Sequence, residues 1–262
     1  MDLKLNNQIV LITGSSRGIG KGIAEVFLKE KSKVILTGRD ESTLIETADS
    51  CKKKFDSSNV YYYHGDLQKQ ESITLLQEYV NNNFGYLNHL VCNIGSGRSV
   101  PVLEEDLNEF QRMLDLNLLS AVGVVKEMIP LLEKSSTSNF EPTSITFIGS
   151  ICGVESLGCP TAYASAKSAL ETYAKNISKP LGKKGIRVNT VSPGNILFPN
   201  SVWEKKLEQD ETAVQHMIKN KVALSKFGTV EDVGYAVAYL SSKCANFITG
   251  INLVVDGGQL SH

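Results

Sequence analysis

Tyr163 and Lys167 stand four positions apart in TAYASAKSAL, so a helix over this stretch puts a phenol and an ammonium on one face. A free phenol has a pKa of about 10 and is a poor acid or base at neutral pH. A neighbouring ammonium favours the phenolate, lowers that pKa and makes Tyr163 a usable proton donor or acceptor. The small residues around the pair, Ala162, Ala164, Ser165 and Ala166, leave room for a flat cofactor and a substrate. The Y-x-x-x-K pattern alone is nonspecific, because Tyr–Lys pairs decorate many helix surfaces. Ser150, thirteen residues upstream, adds a third group. At the end of a strand its hydroxyl donates to a carbonyl oxygen as negative charge develops there.

A second chemistry lies near the N-terminus. In TGSSRGIGKGIAEVF, Gly14, Gly18 and Gly20 fall between a β-branched strand and an amphipathic helix. Small residues let the backbone turn tightly and approach a pyrophosphate, whose charge then sits at the helix N-terminus.

Positioning these groups requires a sheet. Seven short apolar runs read as strands: 8–14, 33–38, 59–66, 87–93, 144–150, 186–193 and 251–256. Amphipathic stretches at 18–30, 41–54, 69–83, 106–133, 161–179 and 229–242 alternate with them. Strict β-α alternation predicts a Rossmann-type, doubly wound, seven-stranded parallel sheet in a three-layer α/β/α sandwich. The whole of 1–262 reads as one domain. The long segment at about 195–228, with Leu197, Phe198, Val202 and Trp203, reads as a substrate lid with helices of its own and favours a substrate with apolar surface.

Bulk properties exclude several classes. A formal net charge of −1 provides no basic field for nucleic acid or an anionic membrane. No apolar run approaches the length of about 20 residues that spans a bilayer, and MDLKLNNQIVLITG has no signal-peptide character, so the expected location is the cytoplasm. Five cysteines without a C-x-x-C pair read as free thiols, with Cys152 and Cys159 as packing or loop residues. Four scattered histidines suggest no metal site.

The spacing Thr13-Gly14-Ser15-Ser16-Arg17-Gly18-Ile19-Gly20 resembles the T-G-x-x-x-G-x-G signature of the short-chain dehydrogenase/reductase family, and later landmarks follow in order along essentially the whole chain. The resemblance implies direct hydride transfer between a nicotinamide and a carbonyl held by Ser150 and Tyr163, with Tyr163 protonating the oxygen and Lys167 also binding the nicotinamide ribose. Asn117, in LDLNLLSA, matches the fourth catalytic member and supports a proton-relaying water near Lys167. Asp66, followed by Leu67, matches the adenine contact, and Cys92-Asn93-Ile94-Gly95 matches an N-N-A-G turn with Cys and Ile as departures. Pro193-Gly194 matches the turn beside the nicotinamide. The family's following Thr is missing from NILFPNS, leaving backbone near Ile196, or Ser201, to hold the carboxamide.

Against the same pattern, the position that carries a carboxylate in NAD-preferring members is Gly38, followed by Arg39. Arg39 and Arg17 pair with a 2′-phosphate, so the expected cofactor is NADP(H), with NAD(H) as the alternative. Asp40, beyond that position, is expected to cap the next helix. The pattern looks most like 3-oxoacyl-acyl-carrier-protein reductases, whose relatives also act on other ketones, sugars or steroids. The substrate is therefore a small carbonyl or alcohol, with an acyl-carrier-protein thioester as one candidate, and the expected assembly is a homotetramer.

Overall fold

Short runs with no polar face must be covered on both sides, and this alone places the strands in the middle layer. In the computed structural model, which describes residues 2–138 and 142–260, they are β1 (Ile9–Ile12), β2 (Lys33–Gly38), β3 (Val60–His64), β4 (His89–Cys92), β5 (Thr143–Ile148), β6 (Ile186–Pro193) and β7 (Asn252–Val255). All pair in parallel, in the order β3-β2-β1-β4-β5-β6-β7. β2 and β6 have the expected bounds, β5 starts one residue earlier than expected and stops two short, and the others are trimmed at both ends.

The helices are α1 (Gly18–Lys29), α2 (Glu41–Phe55), α3 (Gln70–Phe84), α4 (Leu107–Leu114), α5 (Ser120–Ser138), α6 (Thr161–Gly182), α7 (Val202–Gln209), α8 (Glu211–Lys221) and α9 (Val230–Ser241). One core joins β1 and β2 to α1, α2 and α9 through residues such as Phe27, Leu36 and Val237. The other lies beneath α3, α5 and α6, around Leu76, Met128 and Phe147.

Three local features differ from expectation. The helix expected over 106–133 is two helices, α4 and α5, joined by a π-turn at Asp115–Leu119. A π-turn inserts an extra residue into the helical ladder, and here it turns Asn117 inward, where it is buried. α6 runs through Pro180 to Gly182, so this proline does not end the helix. Finally, Cys152 and Cys159 are not free thiols: they form a disulfide, with Cα atoms 6.2 Å apart. A 3-10 turn at Ile151–Gly153 and a left-handed Gly158 (φ 73°) fold the intervening segment back on itself, which brings the two sulfurs together. Cys51, Cys92 and Cys244 are free.

α1 and α9 cross closely because each places a glycine at the contact. A Cβ at Gly234 would stand 2.7 Å from Val26 Cγ2 and 3.1 Å from the carbonyl of Gly22. Gly234→Val should therefore destabilise the fold by about 1–3 kcal/mol through overpacking. Thermal unfolding checks this, and an unchanged midpoint would show that the crossing is slack.

Candidate active site

The sheet order reverses between β1 and β4, and a cleft of about 860 Å³ opens at the carboxyl ends of the strands on either side of that point. Its floor is a reciprocal lock. Thr13 Oγ1 accepts from the amides of Asn93 (2.9 Å) and Ile94 (3.2 Å), while Asn93 Nδ2 donates to the carbonyls of Thr13 (3.0 Å) and Gly14 (2.9 Å). Asn93 lines the cleft, but its side chain is committed to shaping the glycine loop.

The loop itself is tied to β2. Ser15 Oγ donates to the carbonyl of Ile12 and accepts from the amide of Thr37, and Thr37 Oγ1 accepts from the amide of Gly14. Thr47 Oγ1 donates to the carbonyl of Ser16 from α2. Thr37 and Thr47 escape sequence reasoning because a hydroxyl in a strand or helix looks like any other until its partner is known. α1 begins with Arg17 as its N-cap and no side-chain cap, so its first amides face the cleft as donors for an anion.

At the end of the cleft beside β2 and β3, Gly38, Arg39, Asp40, Asp66 and Leu67 line it together with Ser16, Arg17 and Ile19. Among the described residues neither Arg17 nor Arg39 takes part in an ion pair. His64 Nε2 meets the carbonyl of Arg39 at 3.0 Å and fixes the backbone there. Asp40 caps α2, accepting from the amide of Thr43 (2.8 Å) and from Ser42 Oγ (2.9 Å). These hydrogen bonds, Thr43's foremost, hold its carboxyl at a pKa of about 2.

At the other end Ser150, Tyr163, Lys167 and Asn117 converge. Ser150 caps the 3-10 turn after β5, accepting from the amide of Cys152 (3.1 Å), and its hydroxyl lies beside that of Tyr163. Lys167 is buried, and its Nζ donates to the carbonyl of Ile148 at 2.8 Å. Burial lowers the Lys167 pKa to about 8. Burial also raises that of Tyr163, and the neighbouring Ser150 hydroxyl works against the rise. The ammonium lies 6.0 Å from the Tyr163 ring centroid and is anchored on the carbonyl at the end of β5 rather than on the phenol oxygen.

Asn117 meets the same centre from the π-turn. Its Oδ1 accepts from the amide of Ser96 (2.9 Å), and its Nδ2 donates to the carbonyl of Met113 (3.1 Å). Gly95 closes the cluster, since a Cβ there would stand 2.7 Å from Asn117 Oδ1 and 3.0 Å from Lys167 Nζ.

The remaining expected residues divide. Pro193 and Gly194 line the cleft, but Ile196 does not: its side chain is buried in the core and its backbone bridges to Gly228. Ser201 lines the cleft while capping α7 through the amide of Glu204 (3.0 Å). Of the apolar lid residues, Phe198 and Val202 face the cleft. Trp203 instead packs on Phe227, under the Lys206 ammonium. Arg98, which sequence reasoning missed, lines the substrate side and donates from Nη2 to the carbonyl of Asn200 at 2.8 Å.

The family model described as enoyl-(acyl carrier protein) reductase matches residues 14–259. The chain is 30% identical to glucose 1-dehydrogenase 2 of Bacillus subtilis (strain 168), over 97% of its own length and 95% of that protein. It is also 30% identical to the 3-oxoacyl-(acyl-carrier-protein) reductase FabG of Chlamydia muridarum (strain MoPn / Nigg), over 99% and 100% of the two chains. Its fold superposes with a TM-score of 0.92 on the L-sorbose reductase of Gluconobacter frateurii solved with NADPH and L-sorbose, at 30% identity and full coverage of both chains.

The buried ammonium has a thermodynamic consequence. Below pH 8 the folded and unfolded chains both hold the Lys167 proton, and the cost of burying the charge is fully present. Between about 8 and the ordinary 10.5 the unfolded chain holds more of that proton, so stability rises with pH. Lys167→Met should be more stable than the parent at pH 7, by on the order of 1–3 kcal/mol. That advantage should shrink as pH climbs through this window. Denaturant titrations at several pH values measure it, and a gap independent of pH would contradict the burial argument.

Proposed function

This chain belongs to the short-chain dehydrogenase/reductase family, and from that premise we propose an NADP(H)-dependent oxidoreductase that reduces a ketone or oxidises the matching secondary alcohol. The observation that carries the proposal is the meeting of Ser150, Tyr163 and Lys167 at one end of a cleft whose other end carries the uncapped start of α1, Arg17 and Arg39. The residues present fit a phosphorylated dinucleotide. Amides at the start of α1 offer donors to a pyrophosphate. Arg17 and Arg39, outside any ion pair among the described residues, suit a 2′-phosphate. Asp40 is drawn onto the start of α2, where its Oδ1 accepts from both Thr43 and Ser42.

When bound, the nicotinamide supplies or accepts a hydride. The chain's own residues handle the oxygen. Ser150 hydrogen-bonds the carbonyl oxygen, and Tyr163 delivers its phenolic proton to that oxygen as negative charge develops. The Lys167 ammonium supplies positive charge in a poorly solvated site, which eases loss of the phenolic proton in the transition state. Asn117 holds the loop at Ser96 in place and supports a water beside Lys167 through which the proton is replaced.

Two substrate classes compete. A 3-oxoacyl ketone suits the apolar contributions of Leu116 and Val202. A hydroxylated ketone is favoured by the polar groups of Ser96, Arg98, Asn200 and Ser201 and by the turning away of Trp203. An acyl-carrier-protein thioester is the weaker form of the first reading, because lysines on α7 and α8 alternate with Glu204, Glu208 and Glu211. Exposed Tyr235, Phe247 and Ile251, around α9 and the start of β7, support association of identical chains through that face.

Tyr163→Phe should abolish turnover of any accepted ketone while NADPH still binds with near-parental affinity. Kinetics and cofactor fluorescence read the two quantities, and substantial residual turnover refutes Tyr163 as the acid. Parental enzyme should prefer NADPH to NADH, and Arg39→Ala should cut kcat/KM with NADPH by about tenfold or more while sparing NADH. A clear NADH preference in the parent would sink the cofactor assignment.

A further inference from the structure

α6 carries both Tyr163 and Lys167, yet it starts without a cap of its own. Pro160 occupies the N-cap position and offers no side-chain acceptor. Five other helices are capped locally, by Asp40, Asp106, Ser201, Asp210 and Thr229. The first-turn amides of a helix have no partner within it. In α6 they are met from outside: Glu105 Oε1 accepts from the amides of Thr161 (2.8 Å) and Ala162 (3.3 Å), across 56 residues of sequence.

The placement of Glu105 makes this more than a helix cap. The next residue, Asp106, caps α4 through the amide of Glu109 (2.7 Å), so adjacent carboxylates tie the starts of α4 and α6 together. The loop that ends at Glu105 also presents Gly95 to Lys167 and Asn117, and places Gly97 so that a Cβ there would lie 3.5 Å from the Tyr163 ring. Arg98 on the same loop reaches the lid at Asn200. Tyr163 is the third residue of α6 and lies wholly within the turn that Glu105 secures. Lys167, one turn deeper, is held independently by the carbonyl of Ile148 and by close packing of the turn at Gly153 against its backbone. The uncapped start of α1, Arg17 and Arg39 lie on the segments after β1 and β2, outside the loop that ends at Glu105.

We propose that Glu105 is a positioning residue for Tyr163: by closing the first turn of α6 from the substrate-side loop, it fixes the phenol and that loop as one unit. The proposal rests on Tyr163 as the proton donor. It assigns Glu105 an effect on the chemical step and none on cofactor binding.

Glu105→Ala, Glu105→Gln and the double variant Glu105→Ala/Pro160→Asp separate this role from general stability. The glutamine keeps an acceptor for the amides, and the aspartate that replaces Pro160 supplies a local cap. With NADPH and ethyl acetoacetate as probe ketone, Glu105→Ala should lower kcat by about three- to tenfold. Its KM for NADPH should stay within twofold, and both the glutamine and the double variant should recover most of kcat. Hydrogen exchange over 161–163 should accelerate in Glu105→Ala and be slowed again in the double variant. A kcat within twofold of the parent, a loss that neither second variant restores, or a loss expressed mainly in KM for NADPH overturns the proposal. Exchange needs no turnover: unchanged exchange in Glu105→Ala removes the cap itself, whereas turnover by Tyr163→Phe removes the proton-donor reading. Should Glu105→Ala fail to fold, comparing Glu105→Gln with the double variant decides, and low kcat in both overturns the role.

Discussion

Four hydrogen bonds between Thr13–Gly14 and Asn93–Ile94 hold the two central strands at the point where their connections depart in opposite directions. A parallel sheet with right-handed crossovers opens a crevice wherever its strand order reverses, whatever residues line it. The lock converts that topological gap into a site of defined shape. It fixes the glycine loop relative to the turn after β4, and so fixes the start of α1 relative to Gly95 and the groups packed on it. If the two loops moved apart, the start of α1 and the cluster of Ser150, Tyr163 and Lys167 would remain, but not at the two ends of one cleft.

The cost of the site is paid in desolvation. Burial pushes both Lys167 and Tyr163 toward their neutral forms, which keeps the phenol protonated and penalises the ammonium. One carbonyl, that of Ile148, and one hydroxyl, that of Ser150, offset the penalty. This places the ammonium on β5 rather than against the phenol, so its influence on Tyr163 acts through the field of a poorly solvated pocket rather than by direct contact. The small residues of TAYASAKSAL follow from the same constraint: Ala162 and Ala166 are buried, and larger side chains there would push α6 off the sheet that supplies the compensating carbonyl.

Legibility in the sequence tracks the range of the interaction. β2, β6 and the starts of α2 and α9 follow from runs of apolar residues and from caps within three positions of the amides they serve, as at Asp40 and Thr229. The Ser150–Tyr163–Lys167 set was legible because its members share one strand end and one helix. What escaped is tertiary. The Thr37–Gly14 tie, the Glu105 cap on α6 and the Arg98–Asn200 contact join residues 23, 56 and 102 positions apart, and none leaves a local pattern. The Cys152–Cys159 pair is close in sequence, but only the fold-back at Ile151–Gly153 and Gly158 decides that the two sulfurs meet. The π-turn at Asn117 escaped for a related reason, since one extra residue in a helix barely disturbs its apolar period.

The lid shows why the substrate is harder to read than the reaction. Its composition alone, with Leu197, Phe198, Val202 and Trp203, suggests an apolar wall. A helix shows only one face to the cleft, however, and α7 turns Trp203 toward Phe227. Phe198 lies against the glycine loop, where a Cβ on Gly18 would come within 2.8 Å of its ring, so its bulk faces the phosphate end rather than the reacting carbonyl. The groups left beside Ser150 and Tyr163 include Ser96, Arg98 and Asn200, and the Arg98 contact joins the loop after β4 to the lid. What the cleft admits therefore depends on how two loops meet across it, whereas Ser150, Tyr163 and Lys167 rest on a strand end and a helix that a wide range of loops would leave in place.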